Sequence, residues 1–483
     1  MKYSPTIGLE IHVELNTESK MFCSCLNDPD EGIPNTNICP ICTAHPGTLP
    51  VINEKAVKQL LKTAIALNCE IGMVNYFERK NYFYPDLPKG YQISQYLLPM
   101  SQNGYLDISD KQIRIERIHL EEDTGKLIHP KTENYSLIDY NRAGVPLMEL
   151  VTHPDIHSAS QAREFIKSLQ MILRYLDVSK ANMEKGEMRC EVNISISDDD
   201  QLGTKVEIKN LNSVKSVEKS IEFEIERQRE VLENNKKVIQ ETRGWHDQKE
   251  ITFSQRKKEE AHDYRYFPEP DLPPLVFSEE TLQEIKAEIP ELPKERRERM
   301  KKEYGLFDKT LELYVSQKDL GEYFESVVSE IKTWAQQKGI KEVGKLIQLA
   351  SNYITTDLQG LLKGGEFNDD KFKITPENFA EFVCMIYNGE ISSKIAKIIL
   401  KEMFVGGGDP SQIIKEKNLE QIGDEAELED IIKKVLESNQ IPVKEYRAGK
   451  ETALQFLVGQ VMRETRGKAN PNKAIEILKK NLA

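Results

Sequence analysis

The sequence predicts an α+β chain. An N-terminal cradle on a curved, mainly antiparallel sheet with flanking helices is followed by an all-α domain and a small helical tail domain. Three observations carry this expectation. Ile7 to Leu15 alternates apolar and polar residues over nine positions, the period of a strand with one face buried and one exposed. Glu191 to Ser197 and Lys205 to Lys209 alternate in the same way around a polar connection that ends in Gly203, the pattern of a hairpin. Beyond about Leu292 the alternation gives way to amphipathic helices, interrupted by the linker Gly406-Gly407-Gly408-Asp409-Pro410. The domains expected are therefore 1–292, 293–405 and 406–483.

The bulk composition narrows the function classes. At 483 residues the chain exceeds what one core serves, and 39% hydrophobic with 30% charged residues is the balance of an ordinary globular protein. No apolar run reaches the roughly 20 residues that a membrane span needs, and the N-terminus lacks a signal pattern, so no membrane and a cytoplasmic location are expected. Four of the seven cysteines fall in one cluster, which fits a metal in a reducing compartment better than a disulfide frame. A net charge of -13 opposes indiscriminate nucleic-acid binding but leaves room for a local basic patch.

Taken in order, the first strand carries Ile7, Leu9, Ile11, Val13 and Leu15 on one face and Glu10, His12 and Glu14 on the other. Strand rise spaces that polar row about 7 Å apart from one residue to the next. Cys23-Ser-Cys25 and Cys39-Pro-Ile-Cys42 then form two close pairs separated by a loop. Four such thiolates close a tetrahedral site with no open position, so structural zinc is read here in preference to free buried thiols. A helix is expected from Asn53 to Asn68, with Ala56, Leu60, Ala64 and Leu67 along one face. Asn81 to Gln95 is dense in aromatics, prolines and amides. Two readings stand for it: a loop whose rings and amides recognise a nucleotide, or tyrosines buried at a loop base.

Arg114 to Asp123 has strand character and ends in Glu121-Glu122-Asp123, three acids whose mutual repulsion calls for cations. The apolar phase slips near Arg117, so parity alone leaves open whether Glu121 or Glu122 faces a site. Ile138 to Leu150 reads as strand, turn and a short apolar run that holds Glu149, a carboxylate whose apolar neighbours imply pairing or metal binding. Ser158 with Gln161 opens a helix, and another is expected from about Asn212 to Asn234. His262 to Pro273 supplies further rings and prolines. In the tail, Leu454, Leu457, Val458 and Val461 mark one helix face and Asn470-Pro471 starts the last helix. From Pro442 onward nine Lys/Arg face four Asp/Glu, a local +5 that leaves -18 for the rest. Arg463, Arg466, Lys468 and Lys473 beside a turn are the candidates for RNA backbone contact.

Glu10, His12, Glu122, Glu149, Glu191 and Glu207 are thus five carboxylates and an imidazole on predicted strands. Converged on one curved sheet, they must take up protons or share divalent cations, and oxygen-rich ligation with one imidazole suits Mg²⁺ or Mn²⁺. Cations so placed clamp ATP phosphates. Neither GxxxxGK[ST] nor GxGxxG occurs, so ATP would bind without those cradles.

These stretches also resemble a known family. Ile7-Gly-Leu-Glu-Ile-His12, Arg79-Lys-Asn-Tyr-Phe-Tyr-Pro-Asp86, His119-Leu-Glu-Glu-Asp123, Asp139 to Glu149, Lys209 to Ser213, Asp263 to Asp271, Phe456 to Met462 and Arg466 to Pro471 are similar to the B subunit of the bacterial tRNA-dependent amidotransferase. The resemblance runs nearly end to end. It implies a ligase subunit that phosphorylates the side-chain carboxylate of mischarged glutamyl-tRNA(Gln) or aspartyl-tRNA(Asn) with ATP, after which ammonia forms the amide. It also implies a separate glutamine-hydrolysing amidase subunit as partner, braced by a small third subunit. On this likeness His12, Glu122 and Glu149 match the family's metal ligands. Glu10 and Glu207 fall at second-metal or ammonia-path positions, and Glu191 where the family also permits Asp. ATP, Mg²⁺ and structural Zn²⁺ at Cys23, Cys25, Cys39 and Cys42 are the implied cofactors, and the tail is implied to hold tRNA.

Overall fold

A computed structural model describes the chain except for residues 1–2, 30–31, 131, 200, 258–263, 363–366, 368–371, 420–424, 466 and 483. It divides into two compact units, Met1–Leu292 and Pro293–Ala483. The first is a mixed sheet with flanking helices and the second is helical.

Nine strands of the first unit form its large sheet, numbered here along the chain: β1 (Ser4–Glu14), β2 (Glu70–Ile71), β3 (Ser101–Ile108), β4 (Lys111–Glu122), β5 (Pro146–Thr152), β6 (Met188–Ser197), β7 (Val206–Lys209), β8 (Glu241–His246) and β9 (Ile251–Lys257). Their spatial order is β9-β8-β7-β6-β1-β5-β4-β3-β2. The first strand of the chain therefore lies in the centre, antiparallel to β5 on one side and to β6 on the other. Among the described strands of this sheet, only the β7–β8 pair is parallel. The expected hairpin of β6 and β7 is present, with Asn193 opposite Glu207.

Alternation along β1 sorts its side chains as expected. Ile7, Leu9, Ile11 and Val13 are at most 1% exposed and join Met148, Leu150, Ile118, Leu120, Val192, Ile194, Val206 and Ile208 in one core. That face packs on helices α1 (Glu54–Ala66), α2 (Ala159–Tyr175) and α3 (Val214–Glu233). Each helix begins at a polar cap: Asn53 Oδ1 accepts from Ala56 N, Ser158 Oγ from Gln161 N and Ser213 Oγ from Ser216 N. Such caps are worth about 1 kcal/mol each, while each fully buried large apolar side chain, such as Phe165 or Leu169, contributes about 1.5–3 kcal/mol. Packing, not capping, holds the helices to the sheet. The opposite face of the sheet carries the polar side chains, His119, Glu121 and Glu149 among them buried.

In the second unit, helix Ser393–Gly406 ends on Gly407 and Gly408, both at positive φ, and Asp409 caps the short helix Pro410–Glu416. The Asn378 amide donates to Gly408 O at 3.0 Å, so the glycine stretch is tied to the helices before it. Leu428, Ile432, Val435, Leu457, Val461, Ala474 and Leu478 form a separate core cluster near the C-terminus. The two helices expected there are Thr452–Glu464 and Pro471–Leu482.

Candidate functional site

Sheet register assembles the site. His12 on β1 lies opposite Glu149 on β5, and Glu149 lies opposite His119 on β4. On the other side Glu10 lies opposite Glu191 on β6. Because side chains alternate, all of these project from the polar face. His12 Nε2 is 3.4 Å from Glu121 Oε1 and 3.5 Å from Glu149 Oε2, while His119 Nε2 is 3.3 Å from the same Glu149 oxygen. Two sets could hold a metal ion: Glu10, His12 and Glu149, and His119, Glu121 and Glu149, with the ligand atoms of each set within 4.8 Å of one another. Glu149 belongs to both.

Charge is balanced from the margins. Burial and the neighbours Glu149 and Glu191 push the Glu10 carboxyl up. Burial would lower His12, yet the Glu121 and Glu149 carboxylates outweigh it and hold the imidazole at about 10. Burial opposes ionisation of Glu149 as well, and His119 and His12 bring its carboxyl well below the usual range. Lys80, from the short strand Glu78–Asn81 of a separate small sheet, faces Glu121 and Glu149 and stands over the Tyr264 ring at 5.2 Å. Burial disfavours its ammonium, and Glu121 with Tyr266 and Glu149 more than restores it.

The structure departs from expectation at Glu122. That side chain lies on the parity of Ile118 and Leu120 and accepts from Lys89 Nζ and, at 2.9 Å, from Ile93 N. Glu121 takes the position beside His12 instead. The reason is a register shift where β4 pairs with β5: Val151 faces Arg117 and Thr152 faces Ile115, leaving Glu116 extra. One inserted residue flips every side chain beyond it, so Ile113 and Ile115 share the core with Ile118 and Leu120. The phase slip at Arg117 was the visible signal of this bulge, but it did not give the sense of the flip.

Glu191 and Glu207 share the polar face without joining either set. Lys209 Nζ lies 2.7 Å from Glu191 Oε2 and 3.5 Å from Glu207 Oε1, and Thr242 Oγ1 donates to Glu207 at 2.6 Å. Among the described residues, these two are held by a lysine rather than gathered as ligands for a cation. Parity alone leaves Glu121 open beside Glu122; residues that the sequence reading does not single out for the site include His119, Lys80, Arg142 and Arg189. Asp123 accepts from Arg142 Nε at 2.6 Å and from Arg189 Nη2 at 3.0 Å, and Arg142 also donates to Glu14 at 2.8 Å. His119 and Glu121 alternate with Leu120, the one signal that could have paired them.

The four cysteines Cys23, Cys25, Cys39 and Cys42 also come together, their sulfurs within 4.8 Å of one another, and all are free thiols. They could bind a metal ion. Cys42 accepts from the Cys39 amide at 3.2 Å, and its thiol, beside Cys23, is drawn down to about 5. In the tail, Arg463 and Lys473 are exposed and Lys468 is half-buried, whereas Arg466 lies outside the described residues, as do His262 and Asp263. No helix among the described residues is long and apolar enough to cross a membrane.

A sheet face lined by carboxylates and imidazoles, together with a four-cysteine cluster, defines a class of protein with groups that could hold metal ions. Residues 5–283 match the model of the GatB/GatE catalytic domain and residues 335–482 that of the GatB domain, so the chain belongs to this family. Curated relatives named as the B subunit of an aspartyl/glutamyl-tRNA(Asn/Gln) amidotransferase include that of Thermotoga maritima, 48% identical over all of this chain and 99% of the relative. Those of Carboxydothermus hydrogenoformans and Persephonella marina are each 46% identical over all of this chain and 99% and 100% of the relative. The family resemblance drawn from the motifs is thus borne out.

Proposed function

We propose that this chain is the ligase subunit that activates the side-chain carboxylate of glutamyl-tRNA(Gln) or aspartyl-tRNA(Asn) with ATP and converts it to the amide with ammonia. A carboxylate oxygen attacks the γ-phosphorus and ADP leaves; ammonia then attacks the acyl carbon and phosphate leaves. The observation that carries this reading is Glu149, shared by two potential cation sets on one sheet face. The donor set fits Mg²⁺, being mostly carboxylate, and the buried His119 Nδ1 is without a hydrogen-bond partner among the described residues. Glu10, His12, His119, Glu121 and Glu149 would hold the cations, which when bound offset the charge on the transferring phosphoryl group. Lys80 is suited to hold a phosphate or carboxylate oxygen against the repulsion of Glu121 and Glu149. Glu207 and Glu191, with Lys209, would border the part of the polar face where ammonia meets the activated carboxylate. Zn²⁺ would be held by the four cysteines and would staple their loop.

Ammonia would come from a glutamine-hydrolysing amidase subunit, with a small third subunit bracing the pair, in the cytoplasm where aminoacyl-tRNA is made. Arg463, Arg466, Lys468 and Lys473 would grip the tRNA backbone. The region from Gly406 onward would act as a tail module, with the cluster from Leu428 as its core. A purified complex given each mischarged tRNA separately, with ATP and glutamine, tests the reading. Glutaminyl- or asparaginyl-tRNA should form only with ATP, and a chain ending before Asp409 should lose most of the reaction. A complex that makes neither product refutes it.

A further inference from the structure

Lys20 is a lysine at 0% exposure, outside the acidic site. An ammonium taken from water must find compensation in the interior. Its Nζ donates to Asn37 O at 2.7 Å and Tyr140 O at 3.3 Å, and reaches Cys42 Sγ at 3.9 Å. The two carbonyls are neutral, and the third partner in this hydrogen-bonded shell is a cysteine sulfur. The main chain of the same residue donates to Cys25 O at 3.0 Å. One residue thus touches both halves of the cysteine cluster.

Its other end of influence is the turn after Asp139. Tyr140 O also accepts from Ala143 N at 3.0 Å, and Gly144 N donates to Asp123 O at 2.9 Å. Gly144 sits at φ 87°, where an L side chain is strained, and a Cβ there would come 3.5 Å from Lys20 Cδ and 3.6 Å from Cys42 Cβ. Within this turn Arg142 holds Asp123 and Glu14. Those two acids stand two residues from Glu121 and from His12.

We propose that Lys20 is a positioning residue that joins the four-cysteine cluster to the Tyr140–Val145 turn, so that metal held by the cysteines fixes Arg142, Asp123 and Glu14 at the margin of the acidic sheet face. The inference rests on the reading of the cysteines as a metal site. Four thiolates around a divalent ion carry net negative charge, and a buried ammonium beside them favours the loaded state. Groups that orient a metal's ligands in this way typically cost 10–100-fold in metal affinity when lost. A further link between the loops, the Asn35 side chain that accepts from Tyr140 N at 2.8 Å and donates to Ile138 O at 3.0 Å, involves neither a cysteine nor a lysine and is lost in Asn35→Ala.

The test uses the full-length chain, with zinc alone as the probe. Zinc affinity is measured by competition with a chelating dye for the wild type, Lys20→Met and Asn35→Ala. Amide hydrogen exchange over residues 139–145 is followed with and without chelator. Lys20→Met should weaken zinc binding at least tenfold, and Asn35→Ala should not. In the wild type, removing zinc should speed exchange in the turn; in Lys20→Met the turn should already exchange fast and respond little. Zinc affinity unchanged in Lys20→Met, or a wild-type turn indifferent to chelation, overturns the proposal even where Lys20→Met folds poorly. A wild-type chain that takes up no zinc overturns the metal reading and this inference together, and so separates the two failures.

Discussion

Glu149 lies directly opposite His12 on the neighbouring strand, its Oε2 3.5 Å from the imidazole Nε2, while the same oxygen stands 3.3 Å from His119 on the strand beyond. One carboxylate thus serves two imidazoles from the middle strand of three. Removing its charge should disturb both cation sets at once. Glu149→Gln should lower ATP-dependent amide formation at least about 10–100-fold and raise the Mg²⁺ concentration needed for half-maximal rate. The check is a Mg²⁺ titration of the mischarged-tRNA reaction; an unchanged titration would remove Glu149 from the chemistry.

Glu121 and Glu122 are adjacent in sequence and face opposite sides of β4, which separates their effects. Glu121→Gln should shift the Mg²⁺ titration as Glu149→Gln does. Glu122→Gln loses the charge that pairs with Lys89 but keeps an oxygen that can accept from Ile93 N, so it should loosen the Lys89 contact and leave the Mg²⁺ midpoint in place. Parallel titrations of the two variants decide the matter. Equal shifts would contradict the facing assigned by the bulge.

Cys42→Ser should abolish uptake of one zinc per chain, measured by elemental analysis of the purified protein. It removes a sulfur that also receives the Cys39 amide. The thermal midpoint of the first unit should fall by on the order of 5 °C, because loss of a structural metal belongs to the costly class of substitution. A zinc-free wild type melting at the same temperature as the loaded one would speak against a staple.

Glu288 clips the end of the helix Glu279–Ala287 to α1, 2.6 Å from Lys58 and 2.8 Å from Lys62. These lysines hold its carboxyl down to about 2, against 4.5 unperturbed. A depressed carboxyl stabilises the folded state above its unfolded value, and that contribution is lost as pH falls through the folded one. The window is therefore pH 4.5 to 2. Both partners lie at the surface, so the effect should be small and salt-screened. Glu288→Gln should melt slightly below the wild type at pH 7, and the gap should close on acidification; a gap that widens below about pH 4 would reverse the sign.

Phe165 is fully buried on α2 against the sheet. Phe165→Ala should cost about 3–5 kcal/mol, the transfer of the ring plus the cavity it leaves. Urea unfolding should show this as a shifted midpoint with unchanged slope.

How far the sequence reached depended on whether a feature was local. The alternation of β1, the cap Ser158 and the closely spaced cysteine pairs are all set by neighbours a few residues apart, and the chain displayed them directly. So did the separation of Glu10 and His12 from the apolar face, since strand geometry alternates whatever surrounds it. Which strands flank β1 is different: β5 and β6 come more than a hundred residues later, and only pairing in three dimensions put Glu149 opposite His12 and Glu191 opposite Glu10. The choice of Glu121 over Glu122 likewise belonged to the tertiary structure. A bulge is defined by what two strands pair with, and one unpaired residue at Glu116 reverses every side chain after it. Lys20 makes the same point: an ordinary lysine in the sequence became a buried ammonium only when Asn37, Cys42 and Tyr140 closed around it.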